Sequence, residues 1–597
     1  MNKLSYKIFL GLSSIVTILQ IFILFWYSQY GFDFTDESFL IVSIANPYNN
    51  DVTVSLFGYI YYPLYQLVNG SISGLRQLNI IITFFLAWSF TYTFFTNYFS
   101  DDLLYRWHKL IISGGFASAS LFFSLSGRST PGYYSLNLQA LLIAATGLII
   151  AENKGTIKSL FGWIIIGVGG WLAFMAKPTT AVALIPITLF FLLASRKFNY
   201  KLIIISGVVA IGLFITSAIV IDSSLISHIT RFNNGLYLAS IDNSGHTIIE
   251  SLVKLFSFPK IIMSLITIIF VLYYLFIKYE NKYKNKQELL YSSLIIIYLC
   301  IISLLNKVTL FNEYGVAQLL IWSVPAIIII LFVSQYRDME ILKESNINIG
   351  FTLFLVPHAF AFGSNINYWI IGSGAGIFWI FSGLLITSKK IHEYKNKSLL
   401  LLFCIVIQII TCIAIIDGLK NPTRQQEPLY KCDSSIQVGK PGSYLILSKG
   451  YNEYISSAIF NSQQAKFLNG TGVIDLTGQS PGLLYSIGAL SIGNAWIIGG
   501  YPGSNHLAIE YLKRVSNDQL ATAWLLVEPS GPRSISTKVL QCFGADISKD
   551  YKVVASWMTA EGAGGFKKPR LQMLLKPIRP ISLAIASCEA SKNEVNK

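Results

Sequence analysis

Residues 202–221 read LIIISGVVAIGLFITSAIVI, with no charge and no proline. At 1.5 Å per residue, about twenty residues of helix span about 30 Å, the thickness of a bilayer's hydrocarbon core. A helix bonds its own backbone groups, so it can be apolar on every side where lipid surrounds it. The stretch is therefore read as a membrane span, and the rest of the chain repeats it. Comparable blocks lie near 8–28, 78–98, 110–125, 136–151, 159–175, 179–195, 257–277, 288–306, 315–333, 348–363, 367–388 and 398–417. Composition agrees: of 597 residues, 53% are hydrophobic and only 13% charged, against about a quarter charged in a soluble domain. The mean hydropathy is +0.55. The fold class expected is a polytopic α-helical membrane protein of about 13 transmembrane helices. Residues 8–27 exceed the apolar region of a signal peptide and lack a small-x-small cleavage site, so they are expected to stay as the first span.

The net charge of +15 invites a nucleic-acid reading, but its distribution argues for topology instead. With the N-terminus inside, the inner loops SRKFNYK (195–201), KYENKYKNK (278–286) and SKKIHEYKNK (388–397) join a group holding about nineteen Lys and Arg, against about six outside. That places the loops at about 29–77 and 222–256, and everything after residue 417, on the outer face. Residues 1–417 are thus expected to form a transmembrane domain and 418–597 a soluble extracytoplasmic one. The latter alternates short apolar runs (SYLILS, GVIDLTG, NAWIIGG, ATAWLLVE, KVVASWM) with Gly, Pro, Asn and Ser turns, the pattern of a mixed α/β unit. It carries Cys432, Cys542 and Cys588, two of which are expected to pair in an oxidising compartment, the pairing being open. No internal repeat or low-complexity tract is evident.

In so apolar a chain, polar residues gathered on one side of the membrane carry the information. The densest group follows the first span: Gly31-Phe32-Asp33-Phe34-Thr35-Asp36-Glu37-Ser38-Phe39. A carboxylate there can take the proton of an acceptor hydroxyl as its oxygen attacks a sugar carbon, or can bind a divalent cation. The plainer alternative is that these are solvated acids, or that Asp36 caps a short helix through ESFLIVSIA. The loop continues through FGYIYYPLYQLVNG, where Pro63 marks a helical start after Tyr62. Further outside candidates are Arg128, Tyr133, Lys177, Arg231, Asp242, His246 and Asn365. Cations on the side the positive-inside rule disfavours suit an anionic phosphate; snorkelling or ion pairing is the alternative. His108, His228, His358 and His392 lack metal-ligand spacing, so no metal site or other cofactor is expected. A phosphate loop is lacking too, and GGYPGS (499–504) reads as a structural turn.

The outer loop with Asp36-Glu37, the aromatic-Pro-Leu segment Tyr62-Pro63-Leu64 and Gly74-Leu75-Arg76 entering the second span resemble the GT-C superfamily of polyprenyl-phosphate-sugar glycosyltransferases. That superfamily includes the protein O-mannosyltransferases and the lipid A aminoarabinose transferases. Lys177-Pro178 matches the family's Lys-Pro or Lys-Gly turn, and Gly363-Ser364-Asn365 its late Gly-Ser/Thr-Asn turn. The resemblance implies Asp36 as catalytic base, with Glu37 and Asp33 beside it. Close relatives of the aminoarabinose transferase carry a Lys where this chain has Tyr61-Tyr62-Pro63, so donor-phosphate binding falls to Lys177, Arg128 or Arg76. Tyr62, Tyr133 and Asn365 are the substrate-binding candidates. The implied partners are an undecaprenyl-phosphate sugar, membrane lipid, and a glycan, glycolipid or protein acceptor at a bacterial inner membrane; nucleic acid is not among them. The rivals are a lipid-linked oligosaccharide polymerase or ligase, a transporter or flippase, and a non-catalytic scaffold. The first would place its major loop late, and the second would show repeats or ionisable groups within spans.

Overall fold

The computed structural model describes residues 3–49, 52–100, 104–125, 129–152, 156–194, 200–242, 316–321, 345–364, 368–393 and 397–595. The expected spans 257–277 and 288–306 lie outside them, and 315–333 is described only at 316–321. The membrane part contains α1 (Lys3–Tyr27), α2 (Asp36–Ala45), α3 (Phe57–Leu67), α4 (Ile72–Tyr98), α5 (Arg106–Ala117), α6 (Tyr133–Ala151), α7 (Thr156–Ala176), α8 (Pro178–Ala194), α9 (Tyr200–Asp222) and α10 (Leu225–Asp242). Later come α11 (Ser345–Ala361), α12 (Ile377–Glu393) and α13 (Lys397–Lys420). Among the described residues six helices are long and apolar enough to cross a membrane, and two shorter apolar ones run Pro178–Leu193 and Asn348–Ala361.

Two expected spans are broken, each for a local reason. The stretch 110–125 is α-helical only to Ala117 and continues as a 3-10 run, Ser118–Leu125. There Ser118 Oγ donates to Gly115 O at 2.7 Å and Ser120 Oγ to Ala117 O at 2.8 Å, side-chain bonds that compete with the α-helical ladder. The stretch 367–388 divides into a short helix, Tyr368–Ser373, and α12. Gly376 sits at the break, where a Cβ would come within 2.9 Å of Leu320 Cδ1.

The C-terminal unit is α/β, as its composition suggested. A hairpin of β1 (Ser434–Gln437) and β2 (Tyr444–Leu447) precedes α14 (Lys449–Gln464). A five-stranded mixed sheet follows, ordered β4-β3-β5-β7-β6, from β3 (Gly472–Asp475), β4 (Leu490–Ser491), β5 (Trp524–Val527), β6 (Tyr551–Met558) and β7 (Leu571–Pro577). β3 runs parallel to β4 and β5, whereas β7 is antiparallel to β5 and β6. Helices α15 (Pro481–Ser486), α16 (Ser504–Arg514) and α17 (Ile581–Val595) complete it. Cys432, Cys542 and Cys588 are all free thiols, so the expected disulfide is not present. Cys542 and Cys588 pack together in one apolar cluster, to which Cys432 does not belong.

The segment between α1 and α3 is built into this unit. Phe32, Phe34, Ile41 and Val42 share one core with Leu445, Leu447, Tyr451, Leu483 and Trp557. Full burial of each such side chain contributes about 1.5–3 kcal/mol. Backbone bonds run from Ile446 N to Gln29 O at 2.8 Å and from Gly31 N to Ile446 O at 3.0 Å. The loop is thereby ordered, and its acids are carried between two packed bodies. Pro63 lies inside α3 rather than at its start, because the helix begins at Phe57, whose ring is buried.

Candidate functional site

Asp33-Phe34-Thr35 forms a turn in which Asp33 Oδ1 accepts from Thr35 N at 3.0 Å and Thr35 Oγ1 at 2.7 Å, the usual local bonding of an Asp ahead of a helix. The turn launches α2, so Asp36 and Glu37 fall in its first turn, where negative charge is favourable. Asp36 makes no side-chain cap, contrary to one sequence reading; the cap position is Thr35.

The three acids then part company. Glu37 is buried, and its carboxylate accepts from Arg76 Nε at 2.9 Å and Nη2 at 2.7 Å, from Thr130 Oγ1, and from Asp33 N at 3.1 Å. Arg76 spends its remaining donors on Ser28 O (2.7 Å), Tyr30 O (3.1 Å) and Gly31 O (3.0 Å). Asp33 has a side chain 12% exposed, while that of Asp36 is 64% exposed. Arg424 reaches both, at 3.2 Å from Asp33 Oδ2 and 2.8 Å from Asp36 Oδ2. Burial pushes the Asp33 carboxyl above the ordinary carboxylate range, against the opposing pull of Arg424.

These groups border a cavity of about 610 Å³ between ends of the membrane-part helices and the C-terminal unit. Asp33, Asp36, Glu37, Arg76, Thr130, Tyr133 and Arg424 line its polar part. Leu24, Phe123, Ile415 and Leu419 make an apolar wall continuous with the ends of α1 and α13. Asn494, Trp496, Tyr501 and Arg533 face it from the C-terminal unit. A charged, partly apolar cleft of this size at the junction of two bodies is a typical small-molecule site.

The remaining sequence candidates distribute unevenly. Lys177 sits in the turn between α7 and α8, behind cavity-lining Tyr134, its Nζ 5.8 Å from that ring. It donates to Ser364 Oγ at 2.7 Å and Phe360 O at 3.2 Å, and burial pushes its pKa down to about 7. Tyr62 stands away from the cavity, against Tyr48 at 6.1 Å between rings. Arg231 donates to Asp222 Oδ1 from Nη2 at 2.6 Å and to Oδ2 from Nε at 3.0 Å, and Asp242 ends α10. Arg128, His246 and Asn365 lie outside the described residues. Among the described residues, no group of three or more His, Cys, Asp and Glu could hold a metal ion.

Arg424, Trp496 and Arg533 were missed from the sequence. Arg424 had a signal: it is a cation just after the last expected span, in NPTRQQEP, on the side the charge distribution assigns to the outside. Its backbone takes the left-handed conformation (φ 53°), at a cost of about 1–3 kcal/mol for a residue with a side chain. Tyr451 Oη helps hold it there by donating to Arg424 O at 2.7 Å.

No protein-family model matches the chain, and no curated protein matches it. Among solved structures, the chain is similar to ArnT from Cupriavidus metallidurans bound to undecaprenyl phosphate. The TM-score is 0.44 at 10% identity, covering 96% of this chain and 98% of that one.

Proposed function

We propose that this protein is a membrane glycosyltransferase that moves a sugar from an undecaprenyl-phosphate-linked donor to an acceptor at the outer face of a bacterial inner membrane. The observation that carries the reading is the division of labour among three neighbouring carboxylates: Glu37 and Asp33 are buried and bonded, whereas Asp36 presents an exposed carboxylate to the cavity. A group in that position suits a general base. In the reaction the acceptor hydroxyl oxygen bonds to the anomeric carbon with inversion. The carbon–oxygen bond to phosphate breaks, the carrier leaves as undecaprenyl phosphate, and the hydroxyl proton passes to Asp36.

Glu37 and Arg76 act as positioning residues that fix the start of α2. The polyprenyl tail is assigned to the wall of Leu24, Phe123, Ile415 and Leu419. Lys177 and Arg128 are assigned to the carrier phosphate, whose growing charge they offset in the transition state; for Lys177 this requires Tyr134 to move aside. Tyr133 borders the sugar, and Asn365 keeps its place as a substrate-binding candidate.

The test is transfer of radiolabelled sugar from undecaprenyl-phosphate donors in membranes containing wild type, Asp36→Asn or Asp33→Asn. Loss of transfer in Asp36→Asn at normal protein levels, with product still formed by Asp33→Asn, is the expected result. Normal transfer by both variants would remove the first outer loop from the chemistry. Binding of donor without any transfer would favour a carrier.

A further inference from the structure

The C-terminal wall of the cavity bears on the acceptor, which the transferase reading leaves open. Arg533 lines the cavity half-buried. Arg76 and Arg424 are paired with carboxylates, but among the described residues no ion pair or hydrogen bond engages the Arg533 guanidinium. A half-buried cation without an internal counter-charge pays a desolvation cost that an anionic ligand group offsets. The segment is built to carry it: a Cβ on Gly478 or Gly499 would run into the Arg533 carbonyl, and one on Gly500 would lie 3.2 Å from Arg533 Cγ. The GGYPGS turn is thus the seat of this arginine. Beside it Trp496 is fixed by its indole N–H, which donates to Gly478 O at 2.9 Å, and its ring stands 6.2 Å from that of Phe39. Asn494 and Tyr501 line the same cavity. An anchored aromatic face in a cavity that also holds an amide and a phenol suits a pyranose ring, whose C–H face packs on the indole while its hydroxyls meet polar lining groups.

We infer that the C-terminal unit holds the acceptor, and that the acceptor is an anionic saccharide stacked on Trp496 with its acidic group on Arg533. The inference rests on the transferase reading. The alternative source of the anion is the carrier phosphate. That phosphate adjoins the polyprenyl tail, whose apolar wall belongs to α1, the 3-10 run and α13, whereas Arg533 belongs to the soluble unit.

The test uses the full chain in nanodiscs and saturation-transfer NMR, with a tetrasaccharide ending in glucuronic acid and its neutral glucose-ended counterpart as probes. Undecaprenyl phosphate binding is measured on the same samples. Wild type is expected to prefer the acidic probe by about tenfold or more, the scale of one charge-assisted hydrogen bond. Arg533→Gln should erase the preference, Arg533→Lys should keep part of it, and Trp496→Ala should weaken both probes by about tenfold. Undecaprenyl phosphate binding should be unchanged in all three. Equal binding of the two probes by wild type, or a preference surviving in Arg533→Gln, overturns the inference. So does Arg533→Gln losing undecaprenyl phosphate instead of the acidic probe. If wild type binds the acidic probe through Arg533 but no undecaprenyl phosphate, the transferase reading falls while the saccharide site stands; binding of the carrier alone does the reverse.

Discussion

Arg424 Nη1 stands 2.8 Å from Asp36 Oδ2, joining the segment after the last membrane helix to the proposed base. The same nitrogen is 3.2 Å from Asp33 Oδ2. This cation opposes the burial that pushes the Asp33 carboxyl above its ordinary value of 3.8. Arg424→Gln is therefore expected to raise it further. The stability linkage has a matching sign. A carboxyl whose folded pKa is raised contributes most below its unfolded pKa, and that contribution is lost as pH rises through the folded value. Melting of the variant should thus become progressively poorer than that of wild type as pH rises above the ordinary carboxylate value. A melting curve of Arg424→Gln with the wild-type pH dependence would mean that Arg424 has no electrostatic bearing on Asp33.

Arg76 was a candidate for the carrier phosphate, yet its donors are all engaged by Glu37, Thr130 and three loop carbonyls. Removing one partner of such a buried pair costs about 3–5 kcal/mol. Arg76→Met should therefore lower the thermal midpoint sharply in detergent, with Glu37→Gln milder because its amide still accepts from Thr130. Donor affinity of the folded fraction should change little. A variant of normal stability that has lost donor affinity would restore the phosphate role.

The membrane helices were legible because lipid imposes length and apolarity on each one separately: 8–28, 202–221 and 398–417 need no knowledge of their neighbours. The breaks at Ser118 and Gly376 were not, since each depends on how a particular side chain meets the backbone or Leu320. Within the site, the Asp33–Glu37 cluster stood out by charge density in an apolar chain. What sequence could not rank was which acid stays exposed. That ordering is made by Arg76, thirty-nine residues on, and by Arg424, about 390 residues on, through contacts that no local pattern encodes. Trp496 and Arg533 were hidden for the same reason: their relation to the acids exists only once the C-terminal unit packs on the first loop.

Lys177 gives a prediction with the opposite slope. Burial lowers its pKa to about 7, so in the unliganded protein the ammonium is lost as pH rises above that value. A bound phosphate would raise it again. Affinity for an undecaprenyl-phosphate sugar, whose phosphodiester has no second ionisation near neutrality, should hold below about pH 7 and then fall by up to tenfold per unit above it. Lys177→Arg should flatten the dependence, because a guanidinium stays charged throughout. A flat wild-type profile would assign the carrier phosphate to another cation.

Gly482 tests whether the C-terminal unit sets the geometry of the first loop. Its N–H donates to Phe34 O at 3.0 Å, and it sits in α15, directly against the turn that launches α2. A Cβ at this position would collide with Ser38 Oγ, approach Phe34 Cα to 2.7 Å and approach Phe32 Cε1 to 3.0 Å. Two of those atoms belong to residues flanking Asp36, and one is backbone, which cannot rotate out of the way. Gly482→Ala should accordingly cost about 1–3 kcal/mol by overpacking and push the Phe34–Ser38 segment out of register with the cavity. The expected signature is a fall in kcat with donor KM little changed, since the carrier's apolar wall lies on other elements, together with faster amide exchange over residues 32–40. A wild-type rate with unchanged exchange would show that the acids keep their positions without the soluble unit. The reaction would then belong to the membrane helices alone.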